Sequence, residues 1–279
     1  MNKSVKYWRL PHLAGVEMLR AQYTTQTFSR HIHEGYALGV IEQGALAFSY
    51  RGEQLVAPAG AVNLVIPGEA HDGKAASPAG WSYRMFYLAP EWMEKTVHEL
   101  HGKWRRPYFS AGVLEDDLLA GQIQAAHRSM EDSEASILEQ ETRLISLLSY
   151  FVSRHSDRSG AWDERYKQNR SVMLARQYIE EHYAESITMR QLVQICHLSA
   201  FHLIRLFRRQ VGVPPHMFLK QVRVRRSREF LDQGMTPAAV AQMAGFVDQS
   251  HFTRQFRQMV GMTPCQYSNF IQYGPRLIR

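Results

Sequence analysis

Short stretches of β-forming residues alternate with turn residues between positions 22 and 88. Residues 36–42, 45–50, 53–56 and 62–66 are the clearest of these, and Gln-Gly, Arg-Gly, Pro-Ala-Gly and Pro-Gly follow them in turn. Such residues occupy tight turns because they tolerate or preset turn dihedrals. Residues 81–88 alternate with a period of two, which places Trp81 and Tyr83 on one face. The pattern predicts a small barrel or sandwich.

The hydrophobic period changes from two to about 3.6 after Pro107. Residues 115–130 and 134–155 are predicted helices, and the second carries an apolar stripe at steps of three and four that only Glu141 interrupts. The stripe consists of Ile137, Leu138, Leu144, Ile145, Leu148, Phe151 and Val152. Two interpretations stay open: the stripe packs on the strands, or a second chain covers it.

Helical patterns with clear ends fill the chain from Ser171 onward. Thr188 and Gln191 have capping-box spacing, and Gly212, Gly234 and Gly261 stand where helices end. Pro214 and Leu231 bound a long helix of about 27 Å, at ~1.5 Å per residue. The polar segment 156–169, which contains Ser and Gly, separates this region from the stripe and is the predicted linker.

A repeat lies within this helical region. Shifting the chain by 49 residues superposes residues 202–218 on 251–267 with seven identities. Each copy has a short helix, a tight turn and a second helix, the arrangement of a helix-turn-helix module. The modules span about residues 188–211 and 237–260. In such modules the second helix enters the major groove of DNA.

Helical periodicity assigns a buried and an exposed face to each second helix. The buried residues are predicted to be Leu203, Phe207 and Val211 in the first copy and Phe252, Phe256 and Val260 in the second. The exposed candidates for DNA contact are Phe201, His202, Arg205, Arg208 and Arg209, then Gln249, Ser250, Thr253, Arg254 and Arg257. Arg and Gln recognise guanine and adenine edges with paired hydrogen bonds. The alternative for Arg205 and Arg254 is an internal ion pair.

The charge distribution agrees with a polyanionic partner for the C-terminal part. Residues 166–279 carry 16 Lys and Arg, 14 of them Arg, against six Asp and Glu, whereas residues 1–165 are mildly acidic. The two cysteines, Cys196 and Cys265, lack metal-type spacing, and no run of 18 apolar residues occurs. These observations lead us to expect a cytoplasmic protein without a membrane span.

The sequence GFVDQSHFTRQFRQMVGMTPCQY, with LSAFHLIRLFRRQVGVPPHMFL before it, resembles the AraC/XylS family of bacterial transcription regulators. The resemblance covers about residues 171–270 and implies two helix-turn-helix modules that bind promoter DNA. It adds Ile204 to the groove-facing candidates, beside Phe201 and Arg205. The chain departs from the family at Val193, usually Ala, and at His197, often Gly.

The N-terminal half is similar to the cupin-type effector domain common in that family, through RHIHEGYALGVIEQG and APAGAVNLVIPGEAH. His31, His33 and His71 stand where metal cupins have ligands, but Ala37 and Leu38 occupy the usual carboxylate position. We therefore predict no metal and no other cofactor. The histidines are either hydrogen-bonded inside the barrel or part of an effector site with Tyr36, Trp81 and Tyr83.

Together these patterns predict an α+β protein of two domains, a cupin-like β-barrel with following helices and an all-α domain with two helix-turn-helix modules. We expect an effector-binding barrel over residues 1–110, a helical pairing segment over 111–155, a linker over 156–169 and a DNA-binding domain over 170–279.

The predicted function is sequence-specific regulation of promoters in response to a small molecule, without enzymatic activity. The expected partners are double-stranded promoter DNA, the effector and a second copy bound through helices in residues 115–155, with RNA polymerase as a further candidate. The alternative is a cupin-type metalloenzyme fused to a DNA-binding domain.

Overall fold

The computed structural model describes residues 4–157 and 170–273, without the side chains of residues 4, 201, 272 and 273. The chain forms two compact units, an N-terminal sheet domain with three helices and a C-terminal helical domain. Most of the predicted linker, residues 158–169, lies outside the described part. No described helix has the length and apolar character needed to cross a bilayer.

The N-terminal domain is built on a nine-stranded sheet in which β4 is the central element. The strands are β1 Ser4–Arg9, β2 Val16–Tyr23, β3 Thr27–His31, β4 Tyr36–Tyr50, β5 Glu53–Pro58, β6 Val62–Val65, β7 His71–Ala75, β8 Trp81–Leu88 and β9 Val113–Leu114. The order β1-β2-β8-β4-β6-β9 forms the main path, and β5 and β7 also pair with β4. The strand pairs whose residue register is defined are all antiparallel.

The turn predicted at Gln43 and Gly44 is wrong, because β4 runs through both residues for 15 positions. Its pairing with β8 shifts register between Ile41 and Gln43, which lets one strand bend without ending. Gly44 has φ +69°, and a Cβ there would lie 2.0 Å from the carbonyl oxygen of Gly80. The glycine therefore allows the two strand backbones to approach closely and does not form a hairpin turn.

Three helices cover one face of this sheet: α1 Pro90–His101, α2 Asp117–Ser129 and α3 Ile137–His155. Their apolar residues share one core with alternate strand residues, such as Tyr36, Leu38 and Val40 of β4 and Phe86 and Leu88 of β8. The sequence analysis missed α1, although Pro90 in its first turn and Gly102 in a left-handed cap mark both ends. We call the opposite face of the sheet the inner face.

The apolar stripe of α3 is divided between core and solvent. Leu144, Leu148, Phe151 and Val152 are buried, whereas Ile137, Leu138 and Ile145 are 57%, 73% and 55% exposed. Packing on α1 and α2, within the core that these helices share with the sheet, therefore accounts for the buried residues of the stripe. Ile137, Leu138 and Ile145 form an exposed apolar surface on the first half of the helix.

A buried charge network joins β8 to β4 and α2. The Arg84 side chain donates from Nε to Glu42 Oε1 at 2.6 Å and from Nη1 to Glu131 Oε1 at 2.7 Å. Burial raises the pKa of Glu131, but contact with His127 and the charge of Arg84 outweigh burial and lower this pKa to about 2. Glu131 is consequently ionised at neutral pH and neutralises the buried guanidinium.

The C-terminal domain is entirely helical over its described residues. Its helices are α4 Arg170–Glu181, α5 Met189–Cys196, α6 Ala200–Val211, α7 Pro215–Asp232, α8 Pro237–Met243, α9 Gln249–Val260 and α10 Pro264–Tyr273. The predicted capping box of Thr188 and Gln191 is confirmed, as are the left-handed caps at Gly212 and Gly261. The long α7 packs against α6, α8, α9 and α10 and so links the two modules.

The turns of the two modules place different residues in the left-handed region. His197 has φ 52° after α5, and Gly245 has φ +76° after α8. A Cβ on Gly245 would lie 2.4 Å from the carbonyl oxygen of Ala184. Only the second turn therefore has the residue that its backbone conformation favours.

We predict opposite stability changes for substitutions in these two turns. Gly245→Ala should lower the free energy of unfolding of the C-terminal domain by about 2 kcal/mol or more, because it adds left-handed strain and a backbone collision. His197→Gly should raise it by about 1 kcal/mol, since the same strain is removed. Urea unfolding followed by far-UV circular dichroism measures both, and equal effects of the two substitutions would contradict this account.

Candidate nucleic-acid interface and effector site

Matching aromatic pairs fix α6 and α9 to the elements that follow them. Phe207 of α6 packs on Phe218 of α7 with ring centroids 5.6 Å apart, and Phe256 of α9 packs on Tyr267 of α10 at 5.5 Å. Both contacts are T-shaped, and the four rings are buried. The 49-residue repeat relates one pair to the other, so the duplication is present in the packing as well as in the sequence.

The N-terminus of each second helix is fixed by a side-chain cap. Ser199 accepts a hydrogen bond from the backbone N–H of His202, and Asp248 accepts one from that of His251. The caps stand at equivalent positions of the repeat and satisfy backbone donors that the helix leaves open. They define where the exposed face of each helix begins.

The exposed face of α6 is strongly basic. Ile204, Arg205, Arg208 and Arg209 are exposed and His202 is half-buried, while Leu203, Phe207 and Val211 are buried as predicted. Leu206 is buried as well. The side chain of Phe201 lies outside the described residues. This face can offer guanidinium donors to a ligand while the opposite face holds the helix in the domain.

The second copy has a more polar exposed face. Gln249, Ser250, Arg254 and Arg257 of α9 are exposed, and Thr253 is half-buried between them. Phe252 and Phe256 are buried as predicted, but Met259 is buried and Val260 is only half-buried. The described candidates of both helices are therefore exposed or half-buried, and none of them lies in the core.

The arginines of α7 bind other groups of their own domain. Arg223 donates to the carbonyl oxygens of Tyr183 and Glu185 at 2.8 Å, and Arg226 donates to Glu229 at 2.9 Å. Among the described residues, the ion pairs do not include Arg205, Arg208, Arg209 or Arg254. The alternative of an internal ion pair for Arg205 and Arg254 is thus not supported.

A row of aromatic residues occupies the inner face of β8 and its neighbours. Trp81 and Tyr83 are buried, and their rings lie 5.3 and 6.0 Å from that of Tyr23 on β2. Burial raises the pKa of Tyr83 well above its usual value, and hydrogen bonds with Tyr23 and Tyr87 act in the same direction. Tyr83 therefore stays a neutral hydroxyl that can donate and accept hydrogen bonds.

Two predicted histidines continue this row. The ring of His33 lies 5.2 Å from Tyr87 and 4.9 Å from His71. Tyr23 and Tyr87 were missed in the sequence analysis. Tyr87 could have been found, because it follows Tyr83 by four residues, an even spacing that keeps both on the same strand face.

Tyr36 does not join this row. Its hydroxyl donates to the carbonyl oxygen of Pro107 at 2.9 Å, and its ring contacts Phe109 edge-on in the core beneath the helices. The strand alternation explains the difference, since Tyr36 and the inner-face residues of β4 have opposite parity. Of the six predicted effector residues, Tyr36 alone belongs to this helix-covered core.

His31, His33 and His71 are the described residues that could hold a metal ion, because their ligand nitrogens lie within 4.8 Å of one another. The Nδ1 atoms of His31 and His71 lie 2.7 and 3.2 Å from the carbonyl oxygens of Ser29 and Glu69. A carbonyl only accepts, so Nδ1 carries a proton in each ring, which leaves Nε2 as the nitrogen that can bind a metal. Three imidazoles suit zinc and similar metals.

Comparison with known proteins agrees with both halves of the chain. Residues 13–148 match the family model described as AraC-like ligand binding domain, and residues 192–269 match that of a helix-turn-helix domain. ToxT from Vibrio cholerae has a similar fold, with a TM-score of 0.57, 12% identity and coverage of 92% of this chain and 98% of ToxT.

Sequence relatives extend over most of the chain. The HTH-type transcriptional regulator YbfI of Bacillus subtilis (strain 168) is 30% identical over 241 residues, which cover 86% of each chain. The arabinose operon regulatory protein of Escherichia coli (strain K12) is 27% identical over 248 residues, 84% of this chain and 80% of that protein. With its ligand-binding and helix-turn-helix domains, the chain belongs to the AraC/XylS family of transcriptional regulators.

Proposed function

We propose that this effector-responsive transcription factor reads promoter DNA with α6 and α9 in successive major grooves, and that the exposed faces of these helices carry the contacts. The observation that supports this most is the repeated basic face. Arg205 and Arg254 occupy equivalent positions of the repeat, and each helix is held by an equivalent pair of buried aromatic rings. We also propose that residues 1–110 are the effector domain, 111–155 the pairing segment, 156–169 the linker and 170–279 the DNA-binding domain.

The side chains on the two faces suit different parts of the duplex. Arg205 and Arg254 have the fork geometry for guanine, and Gln249 has the amide for adenine. Ser250 and Thr253 suit bases or phosphates. We assign phosphate contacts to the remaining polar candidates and a groove contact to Phe201 from the family resemblance; the phosphate set is His202, Arg208, Arg209 and Arg257.

The length of α7 supports simultaneous contact by both modules. Its 18 residues span about 27 Å at ~1.5 Å per residue. One turn of B-DNA is about 34 Å. The difference indicates that the duplex bends toward the protein when both helices are engaged.

Removal of either forked side chain should relax specificity at one base only. We expect Arg205→Ala and Arg254→Ala each to cost about 1–3 kcal/mol at one guanine, measured by selection from random duplexes followed by binding titrations of the full chain. Arg209→Ala is the matched control, because loss of a phosphate contact weakens all duplexes alike and reduces the salt dependence by about one ion.

Protection of a single groove would restrict this proposal to one module. Equal affinity for all duplexes would reject sequence reading altogether. Footprinting at moderate salt separates these two results.

We propose that the effector binds at the inner face of the sheet domain, against Trp81, Tyr83, His33 and His71, with His31 at its edge. Support comes from the row of buried rings with polar atoms, which can stack on a small molecule and fix its orientation by hydrogen bonds. Tyr36 is left out of this proposal because its hydroxyl is bonded on the other face. One solved ToxT structure contains an unsaturated fatty acid, so a small-molecule occupant has a precedent in this fold.

A second candidate ligand is a divalent transition metal held by the three histidines. The two carbonyl-bonded imidazoles favour it, since such bonds orient metal-binding histidines. Similarity to regulators over most of the chain supports a sensory and non-enzymatic role for the domain in either case.

Variants of the inner face should distinguish the two ligands in a thermal-shift screen of the full chain. We expect an organic effector to raise the melting temperature of the wild type and to lose most of this effect in Tyr83→Leu. A zinc-dependent rise should instead disappear in His71→Ala and persist in Tyr83→Leu. His101→Ala, an exposed histidine outside the row, is the control. Ligand shifts that survive both inner-face variants would place the site elsewhere.

We also propose a homodimer formed through α2 and α3, in a protein that acts in the cytoplasm with its promoter DNA and RNA polymerase. Leu118, Ile137, Leu138 and Ile145 are exposed apolar residues on these two helices. Association of two copies would remove such residues from water, the usual driving force of dimer interfaces.

A charge in this surface should separate the dimer without unfolding the chain. Leu138→Glu is expected to weaken association at least about tenfold, because an unpaired carboxylate would be buried in the interface. Sedimentation equilibrium measures the effect, with Val247→Glu, an 87% exposed residue of the other domain, as the control. A wild-type chain that stays monomeric at high concentration would exclude the dimer.

A further inference from the structure

We infer that Ile204 reads the C5 methyl group of a thymine in the major groove, and so sets base preference in the first half-site. This inference rests on the proposed DNA contact of α6. It assigns a base to a side chain that cannot form a hydrogen bond, although Arg205, Arg208 and Arg209 around it are all donors.

Ile204 is an aliphatic side chain among cations. It is 40% exposed, Arg205 follows it, and Arg208 lies one turn further along the same face. The neighbouring Leu203 and Phe207 are fully buried and fix the helix rotation. Because Ile is branched at Cβ, its χ1 angle in a helix is nearly fixed. Its Cγ2 methyl group is therefore held in position before any ligand arrives.

The repeat places a similar group in the second module. Thr253 is equivalent to Ile204, and Arg254 and Arg257 are equivalent to Arg205 and Arg208. Both Ile and Thr are β-branched and carry a Cγ2 methyl group. A methyl group beside a forked donor thus occurs at the same register of both second helices. Single exposed apolar residues are common on protein surfaces. Here, however, a β-branched methyl group next to an arginine is found at the same position of both copies.

The chemistry of the groove selects thymine as the partner of Ile204. Guanine, adenine and cytosine offer hydrogen-bonding atoms along the major-groove edge, whereas thymine also offers a methyl group. An aliphatic side chain docked against guanine, adenine or cytosine would remove their polar atoms from water without giving them a hydrogen bond, which costs free energy. Docking it against thymine buries apolar surface on both sides. With Arg205 on guanine, the first half-site should contain a thymine next to a guanine.

Replacement of single thymines by deoxyuridine tests this contact, because the exchange removes only the methyl group. In the selected duplex, one thymine of the first half-site should lose about fourfold in affinity for the full wild-type chain, the effect of one buried methyl-sized group. In Ile204→Ala the same exchange should have no effect. Val56→Ala, which changes an exposed apolar residue of the other domain outside the proposed sites, should keep the wild-type sensitivity.

Ile204→Val retains the branched methyl groups and should keep most of the sensitivity, which separates loss of the contact from damage to the helix. Circular dichroism verifies that each variant is folded. Equal uridine effects in the wild type and Ile204→Ala, or none at any thymine, would overturn this inference alone. If no duplex sequence is selected at all, the proposed DNA reading falls with it.

Discussion

The arrangement of the C-terminal domain depends on two buried contacts between aromatic rings. Phe207 on Phe218 and Phe256 on Tyr267 each hold one second helix in a fixed rotation about its axis. A rotation of 100°, one residue of a helix, would exchange arginines for phenylalanines at the surface. The chemistry of the exposed face is therefore a consequence of how tightly the buried face fits.

The helical domain could be predicted in detail because its signals are local. Helix ends depend on residues a few positions apart, as at Thr188 with Gln191 or at Gly212, and the faces of α6 and α9 follow from a period that is visible within one turn. The duplication strengthened these signals, since equivalent positions of both copies are apolar and were predicted to be buried. These positions are Leu203 with Phe252 and Phe207 with Phe256. The burial of Met259 and Leu206 was missed, because residues at the edge of a helical face can be either buried or exposed.

The sheet domain was less predictable because its features depend on distant partners. Alternation shows which residues of β8 share a face, but the helices decide which face they cover, and this left the position of Tyr36 open. The division of the α3 stripe has the same origin, because burial of Leu148 and exposure of Leu138 depend on how α1 and α2 pack against the helix. Long β4 likewise needed the carbonyl of Gly80 to explain Gly44.

The adjacent residues Tyr83 and Arg84 make contacts on opposite faces of β8. Tyr83 belongs to the ring row on one side, and Arg84 binds Glu42 and Glu131 on the other. A ligand that displaced the β8 backbone at Tyr83 would also displace the adjacent Arg84 guanidinium, whose partner Glu131 lies just beyond the end of α2. Occupancy of the proposed effector site would thus be transmitted through one ion pair to a helix that carries the exposed Leu118.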